Sequence, residues 1–145
     1  MARQQRWVGA APADVWAVLA DGWSYAGFVV GSTHVRAVDP HWPAPGARLL
    51  PTVGAWPLQR EGETRCEESE APHRLVVTAR GWPLGEARVV FTLEPRDGGT
   101  LVSLSEDAVA GPGALVPRPL RGVAIGARNR ETLARLEALA LRRPA

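Results

Sequence analysis

The chain has no lysine: all 17 of its basic residues are arginine, a mark of coding bias before it is a mark of function. It has a single cysteine, Cys66, which excludes a disulfide framework or a paired-cysteine metal site and fits a reducing compartment. His34, His41 and His73 show no His-x-x-x-His spacing and no nearby carboxylate pair, so they read as surface or capping residues and no metal is expected. Long apolar runs are also missing: none approaches the roughly 18 residues of a membrane span. Residues 1–7 carry positive charge with no apolar segment behind them, unlike a secretory leader. Stable membrane insertion is therefore not expected, and the predicted location is cytoplasmic. Gly-x-Ser-x-Gly, a phosphate-binding glycine loop and a dinucleotide fingerprint are all absent, which leaves nucleotide chemistry unsupported and predicts no cofactor.

The net charge of +2 is unevenly spread. Residues 117–143 hold seven Arg against Glu131 and Glu137, whereas residues 61–70 hold five Glu against Arg65. The arginines lack both a dense basic block and interleaved aromatics, so they read as a solvated helix face, and nucleic acid is not an expected partner.

At 145 residues the chain is the size of one domain, predicted to span 1–145. Alternation in a period of two marks its strands. Over residues 100–109, Val102, Leu104, Glu106 and Ala108 fall on one side. Over residues 86–95, Ala87, Val89, Phe91 and Leu93 oppose Arg88, Thr92 and Glu94, and Arg96, Asp97, Gly98 and Gly99 supply a hairpin turn between the two runs. Further strands are predicted over 4–10, 33–38, 48–53, 58–69 and 74–80, while Pro40, Pro43 and Pro45 make 39–46 a loop. Pro12 and Asp14 open a first helix that ends near Asp21 and Gly22, and the aromatic stretch 23–28 forms a second, short one.

Residues 120–141 lack proline and are rich in Ala, Leu, Arg and Glu, which predicts a helix of about five turns or more. On it Gly122, Gly126, Asn129, Leu133, Leu136 and Ala140 share one stripe. The stripe begins with small residues, which implies either close backbone contact or open space beneath them. Strands and helices are segregated along the chain, so the fold class is α+β. An antiparallel sheet of about six to seven strands needs a cover on its apolar face, and only the terminal helix is long enough to supply it.

With this order of elements the chain resembles the START-like helix-grip superfamily, in its SRPBCC or polyketide cyclase/dehydrase-like branch. The residues that carry the resemblance are Ala11-Pro12-Ala13-Asp14-Val15-Trp16, the Trp42-Pro43-Ala44-Pro45-Gly46 loop, Gly99-Thr100 leading into Val102 and Leu104, Glu106-Asp107 before Gly111-Pro112, and Arg128-Asn129 with Glu131-Thr132-Leu133. Such a resemblance implies a curved sheet wrapped round the long C-terminal helix, with a deep cavity between them that takes a hydrophobic small molecule, lipid-like or polyketide-like. It implies no single reaction, because the superfamily includes carriers, receptors and cyclases, and fold alone does not fix function.

Within that frame Glu106 is the leading candidate, since alternation places it with Val102 and Leu104 on the face that meets the helix. A carboxylate there suits a general base acting next to a carbonyl. Equally, it pairs with an arginine such as Arg128 at the rim. Asn129, the only Asn in the chain, is placed to donate to a ligand carbonyl or to tie the helix to a strand end. Trp23, Phe28, Trp42, Trp56, Trp82 and Phe91 are predicted, with Leu104, to supply walls and a gate, while Trp7 and Trp16 are predicted to be core. Cys66 lies among glutamates that weaken its thiolate, which argues against a nucleophile. Three readings follow: a carrier of a hydrophobic or aromatic small molecule, a polyketide cyclase- or dehydratase-like enzyme with Glu106 as base, and an interaction module with a filled core.

Overall fold

The computed structural model describes residues 2–30, 32–53, 60–81, 85–115 and 117–142. Strand β1 (Ala2–Val8) is followed by α1 (Pro12–Ala20), a 3-10 turn at Gly22–Ser24 and α2 (Tyr25–Phe28). Six strands come next: β2 (Ser32–Val38), β3 (Arg48–Val53), β4 (Arg60–Glu70), β5 (Arg74–Gly81), β6 (Gly85–Arg96) and β7 (Gly99–Ala110). A second 3-10 turn, Pro112–Leu115, leads into the long helix α3 (Arg118–Arg142).

The seven strands form one antiparallel sheet in the order β1-β7-β6-β5-β4-β3-β2, a meander closed at one side by β1. Bulges in β2 and between β4 and β5 add local twist and bend the sheet. The β6–β7 turn has the expected chemistry: Asp97 and Gly98 both have positive φ, 51° and 75°, and Arg96 pairs with Gly99. Two successive left-handed residues match the twist of a tight hairpin, which is why an Asp-Gly pair sits there.

Helix α1 begins with Pro12 in its first turn and buries Val15, Val18 and Leu19 at spacings of three and four. Asp21 ends it and then caps the following turn, its side chain accepting from the Trp23 amide at 3.2 Å. The concave face of the sheet and the three helices enclose one core, in which Leu75, Val77, Phe91, Leu93, Val102 and Leu104 from the strands meet Leu133, Leu136 and Ala140 of α3. The predicted α3 stripe is therefore the buried one, with Thr132 beside it fixing α3 to the end of α2 by accepting from the Val30 amide at 3.2 Å.

Two expectations need correcting. Trp7, assigned to the core, is 48% exposed. It lies on edge strand β1, opposite Leu101 and on the outer side of the sheet, where its indole N–H donates to the Arg96 carbonyl at 2.8 Å. The first strand also stops at Val8 instead of Ala10, because the chain turns toward α1 there and the Ala10 carbonyl accepts from the Thr100 hydroxyl at 2.7 Å.

Candidate functional site

The β7 register, regular from Gly99 to Ala108, keeps Glu106 on the concave face with Val102 and Leu104, so the sheet delivers a buried carboxylate to the underside of α3. Arg128 and Asn129, neighbours on α3, both reach it. The Arg128 guanidinium donates to Oε2, and the Asn129 side-chain amide donates to Oε1 at 3.2 Å. The Glu106 side chain is 9% exposed and that of Arg128 38%, so the ion pair runs from the interior to the rim. Both carboxylate oxygens thus already accept hydrogen bonds. Glu106 acts first as an anchor that holds Arg128 and Asn129 in place, and the guanidinium retains further N–H donors for a ligand.

Two residues that the sequence reading missed complete the cluster. Tyr25 of α2 is buried, packs edge-on against Phe28 with ring centroids 5.5 Å apart, and shares a side-chain hydrogen bond with Thr64 of β4. Burial pushes the Tyr25 phenol up to about 12, with the Glu106 charge adding to the rise and Thr64 and Arg128 opposing it. Tyr25 therefore stays a neutral hydrogen-bonding phenol at neutral pH. It is the only tyrosine in the chain, so its phenolate absorption reports on this site alone.

This supports a direct test. The raised native pKa means that folded protein holds the proton more tightly than unfolded protein, so the linked stability is fully present below about pH 10 and is lost as pH rises toward about 12. The phenolate band is expected to appear with a midpoint near 12 in wild type, and Tyr25→Phe is expected to flatten the loss of stability between those pH values, read by urea titration. A phenolate midpoint at the ordinary 10.0 would place Tyr25 outside the buried cluster.

Beside the polar cluster, the concave face is lined by small residues. Register brings Thr64, Ala79, Ala87 and Ala108 into one cross-strand row over β4, β5, β6 and β7, and Gly62, Gly81 and Gly85 into the next. Further along the same strands Val77, Val89 and Leu104 are buried, yet the three alanines, which alternate to the same side, are only partly covered. Methyl groups on a concave face stay accessible only where nothing fills the space above them. A Cβ on Gly122 would meet no atom within 4 Å among the described residues, whereas one on Gly126 would come within 3.0 Å of the Gln4 amide nitrogen. At Gly126 the helix thus comes close to the Gln4 side chain, while Gly122 stands clear of the described residues.

The predicted wall residues separate into groups. Leu104, Phe28 and Phe91 are buried in the core that borders the cluster. Trp42 is buried under α1, its indole N–H donating to the Leu19 carbonyl at 3.1 Å, and so holds the 39–46 loop in place. Trp16 is partly buried against the core. Trp23 is 60% exposed, on the turn that Asp21 caps. Trp56 and Trp82 lie outside the described residues. His34, His41 and His73 are exposed. Cys66 is buried, its thiol donating to the Pro43 carbonyl at 3.1 Å; burial first, and the Glu67 charge second, push it up to about 11, so the site has no ready thiolate there.

The family described as "Polyketide cyclase / dehydrase and lipid transport" matches residues 2–141. No curated protein matches the chain. Among solved structures, Ara h 8.0201 superposes with a TM-score of 0.74 at 14% identity, covering 97% of both chains. Protein MLL2253 from Mesorhizobium loti gives a TM-score of 0.72 at 17% identity, over 99% of this chain and 98% of that one. The di-domain ARO/CYC BexL from the BE-7585A biosynthetic pathway gives 0.71 at 18% identity, with 98% of this chain matching 50% of that protein. At these identities the likeness is one of fold.

Proposed function

The chain belongs to the polyketide cyclase/dehydrase and lipid transport family, and on that footing we propose that it holds a hydrophobic or aromatic small molecule between the concave face of the sheet and α3. The observation that carries this reading is the partly covered row Ala79, Ala87 and Ala108 lying next to the polar cluster of Tyr25, Thr64, Glu106 and Asn129, all buried, and Arg128 at its rim. An apolar floor with a few convergent polar groups at one end is the usual make-up of a small-molecule site. The ligand's apolar body lies on the alanine floor, and a carbonyl or hydroxyl on it meets the donors of Arg128 and Asn129.

Nile red, an uncharged apolar dye, provides the test. Ala79→Leu and Ala87→Leu extend side chains into the space and are expected to weaken dye binding by roughly tenfold or more, with little change in melting temperature because no packed neighbour is displaced. Unchanged dye affinity in both variants would remove the site. A sharp loss of stability would instead mean that the space is already filled, as in an interaction module. Native mass spectrometry of protein from its own host then gives ligand mass and stoichiometry.

The enzyme reading rests on one observation, the convergence of a phenol, a carboxylate, a guanidinium and an amide in one place, which exceeds what a smooth-walled carrier needs. In that reading Arg128 and Asn129 polarise a substrate carbonyl and Glu106 holds them or takes the proton. A single-turnover assay with polyketide-type substrates separates it from the carrier.

A further inference from the structure

The opposite, convex face of the sheet carries a feature that the interior site does not use. Arg3 of β1, Arg74 of β5 and Arg88 of β6 surround an open cleft of about 290 Å³. Its remaining lining is Val90 and Thr92 of β6 with Ser103 and Ser105 of β7. The register explains the convergence: Arg3, Ser105 and Val90 form one cross-strand row, and Gln5, Ser103, Thr92 and Arg74 form the next. Alternation along each strand turns all of these away from the core.

The charges in the cleft are poorly compensated. Arg74 has an exposed partner in Glu68 at 3.3 Å, but Arg3 and Arg88 have no hydrogen-bond or ion-pair partner among the described residues. Asp107 stands across from Arg88 in the ladder, but it does not line the cleft, and its Oδ1 accepts from the Ala108 amide. The Ser103 hydroxyl accepts from the Gln5 amide at 3.0 Å, which leaves its own proton to donate, and Thr92 and Ser105 are without partners among the described residues. Three guanidiniums and three donor hydroxyls thus ring a cleft whose base is Val90, buried despite its outward direction. Holding like charges together with nothing between them is unfavourable, whereas guanidinium forks match the oxygens of a tetrahedral oxyanion.

We propose that this cleft binds a small organic phosphate monoester as its dianion. The charges of Arg3 and Arg88, which make no ion pair among the described residues, match the two negative charges, Arg74 and the hydroxyls bond the remaining oxygens, and Val90 receives the organic part. The site lies on the far side of the sheet from the proposed cavity and stands or falls independently of it.

Phenyl phosphate, titrated at constant chloride while the amide NMR spectrum is followed, is the test. Val90, Ser103 and Ser105 amides are expected to shift together and saturate at one ligand per chain, with inorganic phosphate binding the same residues more weakly. Arg3→Gln and Arg88→Gln are each expected to weaken binding by roughly tenfold or more, while Arg135→Gln on the exposed face of α3 changes nothing. Melting temperatures of the two cleft variants are expected to match wild type, which shows that they fold. Shifts scattered over the surface, equal weakening by Arg135→Gln, or unchanged affinity in Arg3→Gln and Arg88→Gln would each overturn the proposal.

Discussion

Leu136→Ala is expected to destabilise the protein by about 2 to 5 kcal/mol, the range for truncating a fully buried leucine where the surroundings collapse only in part. Leu136 is 0% exposed and stands in the middle of the α3 stripe, between Leu133 and Ala140, where the helix meets the strand core. Its neighbour Arg135 points the other way, bonded among the described residues only to Glu131 one turn earlier at 3.2 Å, and 46% exposed at the side chain. Arg135→Ala is therefore expected to stay within about 0.5 kcal/mol. Urea unfolding of the pair checks the orientation of the helix; equal shifts would mean that α3 packs by another face.

That orientation was legible in the sequence because one helix carries a single periodic signal over many turns, and errors at its ends do not change which residues share the stripe. The β6–β7 hairpin was legible for a different reason: Asp97 and Gly98 are among few residue pairs that accept two positive φ values. The face of Trp7 is not legible locally, because it depends on β1 pairing with β7, where its partner Leu101 lies far along the chain. Composition favours burying a tryptophan, but register at an edge strand decided the outcome.

The site was only half legible. Alternation placed Glu106 on the concave face, and helical spacing placed Asn129 above it. Tyr25 and Thr64 gave no comparable signal, since α2 is four residues long and too short to show a period, and Thr64 stands in a strand dominated by glutamates. The row of alanines is visible only when three strands are set in register, because each alanine alone is an unremarkable strand residue. The arginine cleft on the convex face has the same character: Arg3, Arg74 and Arg88 are far apart in sequence and meet only through the order of the sheet.

Glu106→Gln is expected to act first on stability and on the geometry of the cluster. The substitution keeps the size of the side chain but replaces one acceptor oxygen by a donor, so either the Arg128 guanidinium or the Asn129 amide loses its partner. Asn129 is 2% exposed, which leaves no solvent to compensate it, while Arg128 can turn partly toward water. The loss is therefore expected at roughly 1 to 3 kcal/mol at neutral pH, below the cost of breaking a fully buried pair. In a double-mutant cycle Arg128→Met should remove much of the penalty of Glu106→Gln, because the stranded cation is then gone. A carrier would show this stability loss together with weaker ligand binding. An enzyme in which Glu106 takes the proton would instead lose roughly 100-fold or more in turnover with ligand affinity nearly unchanged. Stability, affinity and turnover all unaltered in Glu106→Gln would remove Glu106 from both accounts, and leave Tyr25, Arg128 and Asn129 to define the polar end of the proposed cavity without it.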